Sequence, residues 1–150
     1  MAAPMFHRAK MFERALITLH DKQPDNSIPI AYIAALAVEI GLKAYLLWTG
    51  KYKEKDIKSP KCVGHDLVKA WEKANDSGLA LDPSPPYWLV RLSELNNESH
   101  LLRYAHTNIS AMVLPNKDSL REGVVELLAK VEGRLQSADL PPRGGKQEYK

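Results

Sequence analysis

The chain has 150 residues, a formal net charge of +3 and one cysteine. That length is most simply one domain and buries roughly 68–70% of the surface its unfolded form exposes, so folding calls for neither a disulfide nor a structural metal. A surplus of three positive charges is too small to mark a nucleic-acid binder by itself, and the lone Cys62 excludes an internal disulfide and a cysteine-rich zinc site and suits a reducing cytoplasm.

Strand signals are scarce and helical spacing dominates. Helix 1 is expected from Pro4 to Asp21, with Phe12, Ala15, Leu16 and Leu19 on one apolar face. Its charged start, MAAPMFHRAKMFERA, lacks the apolar run of a secretory signal. Pro24 and Asp25 then break the chain. Ser27 is expected to cap helix 2, and Pro29 fits its first turn, where a missing N–H costs nothing. Helix 2 should run to Trp48 and stop at Gly50.

Ile30 to Trp48 is nearly long enough to span a bilayer, but Glu39 and Lys43 fall at its middle, at about 2.5–3.5 kcal/mol each. The expectation is a buried core helix and no membrane contact. Ala37, Gly41 and Ala44 form a small-residue stripe. A glycine inside a helix costs about 1 kcal/mol against alanine, which suggests close backbone approach, either at the centre of the domain or at a dimer interface.

From Gly50 to Val63 the chain reads as a connector carrying Lys51, Lys53, Lys55, Lys58 and Lys61 against Glu54 and Asp56. Such a run is most simply a solvated connector; the functional reading is a flexible basic lip that meets phosphate. Helix 3 is expected from Gly64 to Gly78, buried through Leu67, Ala70, Trp71 and Ala74. A proline turn, 82–86, leads into helix 4 from Pro85 to Tyr104, with Trp88, Leu89, Leu92, Leu95, Leu101 and Leu102 available for packing. After an irregular stretch, helix 5 should open at Lys117 and run to Gln136 on Val124, Val125, Leu127, Leu128, Val131 and Leu135. Two prolines, two glycines and dispersed charge predict a disordered tail from 138 to 150. The expected architecture is all-α: a single-domain up-and-down bundle of about five helices over residues 1–137.

Three groups could carry chemistry. Glu39 is set in an apolar helix with Lys43 one turn on; a buried carboxylate calls for a cation, within the subunit or across an interface. His65 and Asp66 stand at a helix start, where an acidic residue suits the positive end of the dipole. The last group is Asn96, Asn97, Glu98, His100, Arg103, Tyr104 and His106. A histidine beside an arginine can do acid–base chemistry on a phosphodiester while the arginine holds its charge; a polar helix end looks the same. Phosphate-binding glycine loops, zinc-protease and serine-hydrolase signatures are missing.

Glu39-Ile40-Gly41-Leu42-Lys43-Ala44, then Gly50, then Gly64-His65-Asp66-Leu67 and a later Leu102-Arg103-Tyr104 together resemble the HEPN domain superfamily of small helical bundles. The resemblance covers roughly Ala31 to Tyr104, about half the chain. It implies a helical bundle, commonly a homodimer, from prokaryotic toxin–antitoxin, defence or RNA-processing systems; no cofactor is expected. Many members are metal-independent ribonucleases bearing an arginine and a histidine four to six residues apart. This chain departs from that pattern: Arg103 and His106 have only two residues between them, and Arg14 and His20, with five between, lie in helix 1. The leading expectation is therefore a module that binds RNA, a nucleotide-type ligand or a cognate protein partner, with Glu39, Lys43, His65, Asp66, His100, Arg103 and Tyr104 as binding residues. The alternative is a ribonuclease using Arg103 and His106, and a third reading is a non-catalytic scaffold.

Overall fold

The computed structural model describes residues 2–97 and 114–137, and every regular element among them is helical. The order is α1 (Ala2–Lys22), α2 (Ser27–Thr49), α3 (Glu54–Lys58), α4 (Leu67–Ala74), α5 (Tyr87–Asn97) and α6 (Lys117–Leu135). The all-α, up-and-down bundle expected from the sequence is what forms, with six helices among the described residues where about five were expected for the chain.

Helix α2 is the axis of this bundle. Its residues are apolar on nearly every side, so it can be covered all round; α1, α4, α5 and α6 all pack against it. Ala34, Ala37, Val38, Leu42, Ala44, Tyr45 and Leu46 are fully buried. The helix has the length and hydropathy of a membrane span, and 78% of that stretch is buried inside the bundle. Gly41 explains how α6 comes so close. A Cβ at this position would lie 2.4 Å from Leu128 Cδ2 of α6 and 3.8 Å from Ala9 Cβ of α1. The small-residue stripe is thus filled by helices of the same chain, at the centre of the domain.

The ends of α2 follow local chemistry, with one correction. The capping position is Asn26 rather than Ser27, and the Asn26 amide donates to Gln23 Oε1 instead of serving the helix. At the other end Gly50 takes φ 80° and its N–H reaches Leu47 O at 3.1 Å, the left-handed stop that glycine adopts without strain.

Two further expectations change. In α1 the buried line is Phe6, Ala9, Glu13 and Leu16, while Phe12 and Leu19 are only partly covered. Glu13 is tolerated there because Lys10 Nζ lies 2.6 Å from its carboxylate. The lysine connector is also not a plain loop. Ile57, 1% exposed, anchors α3 to the core, and the Asp56 carboxylate accepts the Lys53 N–H at 2.9 Å.

Helix α4 starts at Leu67 rather than Gly64, and its last turn changes character before the glycine expected to stop it. It passes into a π-helical turn, Asn75–Leu79, in which Gly78 has φ 99°. The Tyr45 hydroxyl of α2 donates to Ser77 O there at 2.9 Å, and Trp71 Nε1 donates to Asp82 O at 2.8 Å. Helix α6 opens on Asn116, whose side chain accepts from the N–H groups of Asp118 and Ser119 at 2.8 and 3.1 Å. It buries Leu120, Val124, Leu127, Leu128 and Val131.

Candidate functional site

Helix α2 presents Glu39 and Lys43 on one side, one turn apart. Lys43 Nζ lies 2.9 Å from Glu39 Oε2, and each side chain is 10% exposed. Two other elements reach the same carboxylate. His65, just ahead of α4, places Nδ1 3.1 Å from Oε2 and 3.3 Å from Oε1. Asn96 of α5 donates through Nδ2 to Glu39 Oε1 at 3.3 Å and to the His65 backbone carbonyl at 3.1 Å. A carboxylate only accepts, so Nδ1 is the protonated ring nitrogen in this contact. Ammonium, imidazole and amide therefore converge on one buried anion, which satisfies the requirement that a buried charge be paired and hydrogen-bonded.

Exposure grades across this network. Glu39 and Lys43 are buried, whereas the His65 side chain is 41% exposed. The arrangement fixes the imidazole ring from behind and leaves part of it at the surface. A carboxylate orienting a histidine in this way sets the ring's tautomer and direction, as is needed either to hold a ligand or to move a proton.

Asp66 has a different task. Its carboxylate accepts the Lys69 N–H at 3.0 Å and the Ser93 hydroxyl at 3.1 Å. Ser93 Oγ in turn accepts from Leu67 N at 3.0 Å and Val68 N at 3.3 Å. Asp66 thus caps α4, with Ser93 of α5 completing the cap. Ser93 had no signal in the sequence: it is a lone serine in a leucine-rich helix, and only the packing of α5 against α4 gives it a role. Asn96 was visible only as part of a polar cluster. His100, Arg103, Tyr104 and His106, with Glu98, lie outside the described residues.

A second polar cluster joins the end of α1 to the start of α6. His20 Nε2 lies 2.6 Å from Asp118 Oδ1, and Arg121 bonds Asp21 and stands 3.1 Å from His20 Nδ1. The hydrogen bond from His20, reinforced by the Arg121 guanidinium, holds the Asp21 carboxyl below the usual aspartate range.

The chain was compared with protein-family models, curated proteins and solved structures, and none of them matches. The all-helical bundle and the polar network at its centre are what the molecule itself offers for a functional reading.

Proposed function

We propose that this chain is a HEPN-like binding module for RNA or a nucleotide-type ligand, with His65 as the contact residue and Glu39, Lys43 and Asn96 as its support. The reading rests on one observation. Two of the sequence stretches that carry the resemblance, 39–44 and 64–67, are 26 residues apart between Glu39 and His65, yet they meet at a single carboxylate. A ring held by a buried anion keeps its orientation before a ligand arrives, so less ordering is lost on binding. Its half-exposed position suits stacking on a base or hydrogen bonding to a phosphate oxygen.

The test is fluorescence anisotropy with a labelled single-stranded RNA, alongside imidazole proton NMR during titration with RNA and with adenosine monophosphate. His65 resonances shift on titration, and His65→Ala weakens binding about tenfold, the size of one base-stacking contact of 1–3 kcal/mol, while still melting cooperatively at a temperature lowered by the lost hydrogen bond to Glu39. Equal affinity of His65→Ala and wild type would remove the site from the proposal. RNA recovered intact after incubation with EDTA is the binder's outcome; shortened RNA replaces the binding reading with a nuclease.

A further inference from the structure

The segment that reads as a flexible lysine connector is folded, and its folding arranges charge. All five lysines from Lys51 to Lys61 are exposed, while Ile57 and Val63 between and beyond them are each 1% exposed. The apolar residues pin the segment to the bundle and turn the lysines outward. Among the described residues none of the five ammonium groups is in an ion pair. The segment's surplus of three positive charges equals that of the whole chain.

The backbone is held almost continuously from Lys53 to Asp66. Asp56 accepts the Lys53 N–H at 2.9 Å, Val63 N reaches Ser59 O at 2.9 Å, and Asp66 N reaches Val63 O at 3.0 Å. Gly64 closes the turn with φ 55°, and a Cβ there would lie 2.9 Å from Pro60 Cα. Lys69 Nζ ties the same turn from α4 by donating to Pro60 O at 3.2 Å. Tyr52, between two of the lysines, is half-buried and has Lys73 Nζ 6.0 Å from its ring centre. The segment then runs through Val63 and Gly64 directly into His65.

We propose that Lys51–Lys61 is a preformed platform that docks the phosphate backbone of single-stranded RNA and leads it to His65, an inference that rests on the binding reading above. Exposed lysines carried on a hydrogen-bonded backbone supply the positively charged track that follows the phosphates of a single strand. Helix α3 has five residues, too short to enter a duplex groove as a recognition helix. The platform's one large aliphatic side chain, Ile57, faces the core and Tyr52 is packed partly against it, so the lysine face lacks the apolar stripe that a bilayer-bound helix buries.

The experiment measures RNA binding by anisotropy at salt concentrations between about 50 and 200 mM for wild type, for the triple variant Lys55→Gln/Lys58→Gln/Lys61→Gln, and for His65→Ala. All three substituted lysines are exposed, and an unchanged thermal melt verifies the variant's fold. Each phosphate contact on a single strand contributes about 0.7 to the slope of log K against log salt, so losing three lowers the slope by about 2. His65→Ala should weaken binding with the slope intact. A triple variant with wild-type slope overturns the platform while leaving the His65 site standing. A neutral His65→Ala with a reduced slope in the triple variant overturns the site and leaves the platform. Equal binding to a polyglutamate peptide or to anionic vesicles at the same salt overturns the assignment to RNA, and so does absence of RNA binding by wild type.

Discussion

Ser93 on α5 completes the cap of α4: its hydroxyl donates to Asp66 Oδ1 at 3.1 Å while its oxygen accepts the Leu67 N–H at 3.0 Å. One small side chain, 3% exposed, thereby satisfies a buried backbone donor and steadies the carboxylate that caps the same helix. Ser93→Ala removes the acceptor and leaves Leu67 N–H buried, at a cost of about 2 kcal/mol. Asp66→Ala loses the cap, at about 1 kcal/mol. Because both act on one helix start, the double variant should cost less than the sum of the two singles. Urea denaturation of the four proteins measures that difference.

The Glu39–Lys43 pair makes a second, sharper prediction. Lys43→Met removes the cation from a buried carboxylate and should destabilise the fold by about 3 kcal/mol. Replacing both residues by methionine removes the charge that needed pairing and should restore most of that loss. His65 would then have no anion behind it, so the double variant is expected to be stable and impaired in RNA binding. Thermal melts and anisotropy on the same samples separate the two effects.

Gly41 tests the packing of α2 on α6. Alanine would gain about 1 kcal/mol of helix propensity, but its Cβ meets Leu128 Cδ2 at 2.4 Å, and overpacking a core typically costs about 1–3 kcal/mol. The clash outweighs the propensity, so Gly41→Ala should be net destabilising by about 1 kcal/mol. In a Leu128→Ala background the same substitution should become stabilising, because the obstructing methyl group is gone. A double-mutant cycle by chemical denaturation decides the sign.

The pH dependence has one acid and one alkaline component. Asp21 is depressed in the fold by its hydrogen bond from His20 and by Arg121, so its contribution is complete above the unfolded value near 3.9. It is lost as pH falls through the lower folded value. Asp21→Asn should therefore lie below wild type in melting temperature at neutral pH and converge with it in acid. Tyr45 is raised above its ordinary range by burial, against the opposing pull of Arg134. Its contribution is complete below about pH 10 and lost as pH rises through the folded value. Tyr45→Phe should flatten the alkaline limb of a melting-temperature profile.

How much of this was legible beforehand differed by residue. Helix α2 could be read because a long apolar run bounded by Pro29 and Gly50, interrupted only by Glu39 and Lys43, fits only one element type. The role of Gly41 was legible too, since a destabilising residue kept inside a helix asks for a close neighbour. Helix α3 was not: one apolar residue, Ile57, among lysines gives no periodicity, and only contact with the core reveals it. Glu39, Lys43 and His65 were each visible as out of place or as helix-start residues, but Ser93 and Asn96 gain meaning only from where α5 lies. Glu13 was hidden in the same way, because its burial depends on Lys10 and on the rotation of α1.

The central position of α2 also governs the order in which the protein can be made safely. Helix α1 is translated before α2 and can cover one flank at once, since only residues 23–26 separate them. Another flank waits for Leu128 and its neighbours on α6, nearly eighty residues later by the numbering. Until α6 leaves the ribosome, the growing chain displays a greasy strip with the hydropathy of a bilayer-crossing segment. Chains cut before residue 117 keep that strip uncovered, and they should collect in inclusion bodies or on chaperones while the 150-residue chain does not.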